Sequence, residues 1–269
     1  MRRLTFAISL LLLGFSSSAM AGIIISSTQT RLASHQTTPV TVYLEADRLK
    51  LTMPGMALIY RADINRIWAA DLRQQVYYEL TPENMRQFSG ISAQLSAAQA
   101  QLQDTLSQLP PEQRQALESL LGGFVPPPAQ QHGPAKPVFA KLGNSKTVAG
   151  LNCDFYRKTI NGRQEADFCI SPASSAGFNP ADLTVLDRFS EFAAPLMSSN
   201  IIPHLDDMDW GQLHKGIGFS GIPLDVVTYD HDKPDIEQTV TKLERTAIRP
   251  DAFNLPPGLI KQDFTTAIH

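Results

Sequence analysis

The side chains able to do chemistry fall in a few short clusters. His204, Asp206, Asp207, Asp209 and His214 crowd one stretch. Hard carboxylate oxygens at alternate positions suit calcium, and imidazoles suit zinc. The stretch has no glycine at the calcium-loop position and no His-x-x-x-His pair, so a solvated loop explains it better. Asp230-His231-Asp232 reads as a hairpin tip. Gly218-Phe219-Ser220-Gly221 resembles a nucleophile elbow, but its second glycine comes one residue early and no strand-turn-helix follows. Asp187 and Glu191 lie four apart on one helix face, the spacing of a solvated face rather than an acid/base pair. The reading is therefore of a chain with no catalytic set, no metal site and no cofactor.

Cys153 and Cys169 are the only cysteines. In an exported chain two cysteines can form a disulfide, stay reduced or ligate a metal. Their surroundings favour the disulfide, because strand-like runs Asp154 to Ile160 and Arg163 to Ile170 flank Asn161-Gly162, a strong hairpin turn. A strict two-residue turn places Cys153 opposite Ile170. A single-residue bulge at Gly162 would bring Cys153 directly opposite Cys169. The spacing is nothing like Cys-x-x-Cys, which argues against a redox-active pair. Such a bond closes a loop of about 15 residues and is worth roughly 3 kcal/mol.

Export is itself a sequence expectation. Arg2 and Arg3, the apolar run Phe6 to Phe15 and Ala19-Met20-Ala21 form a secretory signal with cleavage between Ala21 and Gly22. Residues 1–21 are then a signal peptide and 22–269 the mature chain. The residue directly after the cleavage point is Gly22 rather than a cysteine, so no lipid anchor is expected. The compartment is read as periplasmic, with secretion as the alternative. With 269 residues, 43% of them hydrophobic, and a net charge of −3, the composition is that of a folded domain, not a disordered chain. Nucleic acid is excluded as a partner by the acidic balance and the lack of a Lys/Arg cluster. Beyond the signal no run approaches ~20 apolar residues, so a membrane-spanning chain is not expected.

Ile23 to Glu79 reads as a meander of short alternating strands with turns at Asp47 and Met53-Pro54-Gly55-Met56. At Thr81-Pro82-Glu83 the pattern switches to a helix start. Phe88, Ile91, Leu95, Ala98, Leu102, Leu106 and Leu109 then follow at three- and four-residue steps. Pro110-Pro111 ends this helix, and a short second helix runs from Glu112 to Leu121. Val125 to Pro137, with five prolines, reads as an exposed linker. Strands resume at Val138. Asn179-Pro180 opens a further helix carrying Leu183, Leu186, Phe189, Ala193 and Leu196, and strands return from Leu224 and from Ile236. The expected fold is α+β: a mostly antiparallel curved sheet, an incomplete β-barrel, with helices covering its open side. It forms one β-rich domain with a helical insertion at 81–122 and a Pro-rich linker at 125–137.

Several features in order resemble the bacterial exported family called domain of unknown function 4412. They are Leu109-Pro110-Pro111-Glu112-Gln113-Arg114, then Val148 to Tyr156 with Cys153, then Cys169 after Asn161-Gly162. Gly218 to Pro223 and Phe253-x-x-Pro256-Pro257-Gly258 complete the set. The resemblance spans nearly the whole mature chain, with a helix poorer in methionine than the family pattern. Its meander, inserted helix and returning strands are more distantly similar to periplasmic carriers of outer-membrane lipoproteins. Those close a half-open barrel with helices to hide acyl chains. The resemblance implies a non-catalytic envelope protein that binds or carries an apolar or lipid-like ligand. The apolar seam of the helix from Phe88 to Leu109 either only packs the helix onto the sheet or walls a groove for such a ligand. In the second case Trp68, Tyr77, Phe88, Ile91 and Leu95 would line that groove. The alternative is an interaction module that docks on an envelope protein through the helical arm or the Pro-rich linker.

Overall fold

The computed structural model describes residues 21–87, 137–197 and 216–263, together with Gly90, Gln94, Ala97, Gln101 and Gln108. Alternating apolar and polar residues build the strands β1 (Gly22–Arg31), β2 (Gln36–Glu45), β3 (Arg48–Met53), β4 (Met56–Arg61), β5 (Arg66–Asp71) and β6 (Val76–Leu80). They are followed by β7 (Val138–Val148), β8 (Leu151–Ile160), β9 (Arg163–Pro172), β10 (Gly221–Asp230), β11 (Lys233–Thr246) and the short β12 (Ile260–Gln262). All join one 12-stranded sheet in the order β12-β6-β5-β4-β3-β2-β1-β11-β10-β9-β8-β7. The pairing is antiparallel except between β12 and β6. β7 and β12 form the two edges and do not pair, so the sheet is curved but unclosed.

Turn chemistry explains the meander. Gly55 takes a φ of +81° between β3 and β4, and Asn161 and Gly162 take +53° and +78° between β8 and β9. Two successive positive φ values make a primed hairpin turn, whose twist matches that of the flanking strands.

Ile23, Leu44, Leu49, Tyr60, Ile67 and Leu80 are successive cross-strand partners from β1 to β6. Each is at most 5% exposed. Cross-strand partners share a face, so these residues form one continuous apolar row. Helix α1 (Thr184–Met197) packs on this row through Val185, Leu186, Phe189 and Ala193. A short 3-10 turn, Pro180–Leu183, leads into it. There the Asp182 carboxylate accepts the Asn179 N–H at 2.8 Å, capping the start as the Asn-Pro signal predicts. The helical run 82–87 also begins as predicted, and its Met85 joins the same core.

The opposite face of β3 and β4 is covered by the C-terminal segment. Phe253 is fully buried there, with the Arg48 guanidinium 5.2 Å from its ring centre, and the Lys50 ammonium donates to the Ala252 carbonyl at 2.7 Å. β12 then adds to the free edge of β6.

The β7–β10 part is curled more tightly. Lys146 stands opposite Cys153, and Asp225 opposite Cys169, yet the Lys146 Nζ reaches Asp225 Oδ2 at 2.8 Å. In a flat sheet β7 and β10 would lie about 14 Å apart. The ion pair therefore requires the sheet to bend toward this face. Bulges between Lys141 and Ser145 and between Pro223 and Asp225 supply local bends. On the other face Phe139, Tyr156, Ala166, Phe168 and Ile170 form a smaller core with Ile217, Phe219 and Val226.

Candidate functional site

Beside the sealed row runs a second one on the same face: Ile25, Val42, Leu51, Leu58, Ala69 and Tyr78, again successive partners from β1 to β6. Ile25 and Leu51 are buried, but Val42, Leu58, Ala69 and Tyr78 are only half-buried. Two residues of strand separate the rows, and Val42 and Leu58 of the second pack against the core that holds the first. The second row forms an apolar wall on the curved face of an open sheet.

At the other side of the sealed row, where β4 turns into β5, lies a cleft of about 440 Å³ lined by Tyr60, Ala62, Asn65, Arg188, Glu191 and Phe192. Its floor is aromatic. The Tyr60 ring lies 5.6 Å from that of Phe189, edge on, and 5.7 Å from that of Phe192. The Tyr60 hydroxyl donates to the Arg188 carbonyl at 3.3 Å, tying β4 to α1. Burial raises the pKa of this hydroxyl above the ordinary tyrosine value; nearby Arg188 pulls it down and Glu191 pushes it up. Asn65 holds its place at the rim through a left-handed backbone, φ 47°, that closes the turn onto the Ala62 carbonyl.

Of the predicted lining residues, Trp68 and Tyr77 do not share the face of the two apolar rows. Trp68 pairs with Ile59 and Tyr77 with Ala70, so both lie on the face opposite the two apolar rows. There the Trp68 indole donates to Glu79 at 3.0 Å. The reason is the two-residue period: Ile67 and Leu80 take the inner face, which turns Trp68 and Tyr77 outward. Phe88, Ile91 and Leu95 lie outside the described residues, as do the linker 125–136 and the cluster from His204 to His214. Leu58, Val42, Tyr78, Tyr60 and Phe192 were missed as a group. The alternation marks the strand residues as inward-facing, but nothing local tells a sealed row from an open one.

Cys153 and Cys169 are bonded, with Cα atoms 5.2 Å apart, and both are buried. Their register differs from expectation. The extra residue is Glu165 in β9, not Gly162, and it shifts the ladder the other way. Cys169 therefore stands opposite Phe155, and the disulfide runs diagonally between β8 and β9. The Gly218-Phe219-Ser220-Gly221 motif is used for packing: the Phe219 ring lies 6.0 Å from that of Tyr156, and the Ser220 carbonyl accepts from the Ala173 N–H at 3.1 Å. Ala21 is exposed, and Gly22 starts β1 in a buried position where a Cβ would meet the Leu44 carbonyl oxygen at 2.8 Å. Among the described residues no group of three or more His, Cys, Asp or Glu could hold a metal ion, and no helix is long and apolar enough to cross a membrane.

No protein-family model and no curated protein matches the chain, so the resemblance to the domain of unknown function 4412 family is not supported. Among solved structures, an uncharacterized conserved protein from Thermus thermophilus is similar over 91% of each chain, at 7% identity and a TM-score of 0.45. The MucA/MucB complex of Pseudomonas aeruginosa contains a chain matched over 90% of this one and 58% of its own length, at 8% identity and a TM-score of 0.39. A domain from Vibrio parahaemolyticus named for outer-membrane lipoprotein sorting is matched over 88% and 91%, at 10% identity and a TM-score of 0.31. At these scores the likenesses decide neither fold nor function.

Proposed function

We propose that this is a non-catalytic protein of the cell envelope, exported to the periplasm by removal of residues 1–21, that binds or carries an apolar or lipid-like ligand on the curved face of its sheet. The supporting observation is the contrast between two adjacent apolar rows. The row from Ile23 to Leu80 is at most 5% exposed, with α1 packed on it, while Val42, Leu58, Ala69 and Tyr78 in the next row are only half-buried. An acyl chain laid against that wall gains about 0.8 kcal/mol for each methylene it buries. With the side chains predicted to line a groove partly on the opposite face, Leu58 replaces them as the residue to test. Leu58→Asp should weaken binding of a fluorescent fatty-acid probe at least tenfold while the protein stays folded, because a half-buried carboxylate keeps access to water. Absence of probe binding by the unaltered protein would sink the reading.

Docking of another envelope protein is the second reading, and one feature favours it. β7 is the sheet edge, exposed along most of its eleven residues, and an open edge can accept a strand from a partner. A protein that co-purifies with the native chain and is lost when Lys141 is replaced by proline would support docking over carriage.

A further inference from the structure

The cleft between α1 and the β4–β5 turn has a chemistry that the apolar wall lacks. Arg188 and Glu191 are both exposed and stand three apart on one helix face, with neither in an ion pair among the described residues. The arginines of the adjoining strands differ in this respect: Arg61 is held by Asp63, and Arg66 by Glu79. One cation and one anion are thus left open at the rim of a cleft whose floor is the Tyr60 and Phe192 rings, with the Asn65 amide beside them. Both side chains line the same cleft as Tyr60.

We infer that this cleft binds a zwitterion of the phosphoethanolamine class, its phosphate on Arg188 and Asn65 and its ammonium on Glu191 over the Phe192 ring. A guanidinium offers paired donors that match a phosphate, and an ammonium gains from both a carboxylate and an aromatic face. A cation and an anion on one rim call for a ligand that carries both charges. Side chains three apart on a helix leave their Cβ atoms about 5–6 Å from each other. Phosphoethanolamine carries both charges with two methylenes between them, which lets it span the two side chains. A volume of about 440 Å³ lies within the ordinary range of small-ligand sites. The site is distinct from the apolar wall, from which the sealed row divides it, and it stands whether or not that wall binds a ligand.

Calorimetry with the full mature chain tests this. Glycerophosphoethanolamine should bind, while glycerol phosphate and ethanolamine, each carrying one of the two charges, should bind at least tenfold more weakly. Arg188→Ala and Glu191→Gln should each cost at least tenfold in affinity for glycerophosphoethanolamine and leave the melting temperature unchanged, since both side chains are exposed. Equal binding of the single-charge compounds, or unaltered affinity in both variants, would overturn the inference. A short-chain phosphatidylethanolamine below its micelle concentration identifies the source. Affinity at least tenfold above that of glycerophosphoethanolamine means a lipid headgroup, and equal affinity means a free zwitterion; either result retains the site.

Discussion

In β1–β6 the face under α1 is held by an uninterrupted row of apolar side chains, Ile23 to Leu80, with no charge among them. In β7–β10 the face that curls inward carries a disulfide, and a buried carboxylate lies beside it. Asp225 is 3% exposed and receives both the Lys146 ammonium and, at 2.6 Å, the Thr239 hydroxyl. Two rungs along, Arg157 grips Asp167 through two bonds of 2.8 Å, and the Tyr229 hydroxyl joins at 3.1 Å. The first part has a helix laid across it, and the neighbouring row is left half-buried at Val42, Leu58, Ala69 and Tyr78. The second has cross-links inside its curl: the disulfide joins β8 to β9, and the ion pair joins β7 to β10 around it. Non-directional burial tolerates an open wall beside a closed one. Directional links do not, because an unpaired charge in a closed curl is costly.

The comparison breaks most sharply at α1. Phe189→Asp places a carboxylate with no partner in the sealed row and removes a ring from Tyr60, so it should cost about 4 kcal/mol or more. Urea unfolding should show the loss; a midpoint close to that of the unaltered protein would mean that α1 is not the closure of this core. Replacing both Cys153 and Cys169 by alanine should cost about 3 kcal/mol, through loss of a loop of about 15 residues. The cost should appear as earlier hydrogen exchange in β7–β10, with β3–β5 protected as before. Uniform loss of protection across all strands would show that the two parts unfold as one unit.

The smallest effect concerns pH at the β6–β12 edge. Burial by itself raises the Glu79 pKa, but hydrogen bonds from Lys261 and the Trp68 indole, with the Arg66 charge, outweigh it and hold the carboxyl below its ordinary value near 4.5. A depressed folded-state pKa contributes stability that is fully present above the ordinary value and lost as the pH falls through the lowered one. Trp68 fluorescence, followed with Trp210 replaced by phenylalanine, should therefore change only below about pH 4.5. A transition at higher pH would show that Glu79 is not held by these donors.

Much of the sheet is legible from local signals. Gly55 after Pro54, and Asn161-Gly162, supply the positive φ their turns need, and alternation from Val40 to Leu80 assigns each strand residue to a face. The Asn179-Pro180 helix start is equally plain. Less legible is anything that depends on which strand a residue meets. The disulfide followed from two cysteines flanking a hairpin, but its diagonal register depended on an extra residue at Glu165 that carries no bulge signature. Trp68 and Tyr77 are large and aromatic, which suggested a ligand wall. Their parity against Ile67 and Leu80, visible in the sequence, already turned them to the other face.

Periodicity and turn residues determined the strands, their turns and the helix under which Tyr60 lies, because those choices are settled within a few residues of chain. The tertiary structure alone decided that β11 would lie beside β1, that α1 would seal one apolar row and leave Val42, Leu58 and Tyr78 half-open, and that Arg188 and Glu191 would face the β4–β5 turn. Those outcomes depend on contacts between segments more than a hundred residues apart, and local patterns of hydrophobicity say that a face is buried without saying by what.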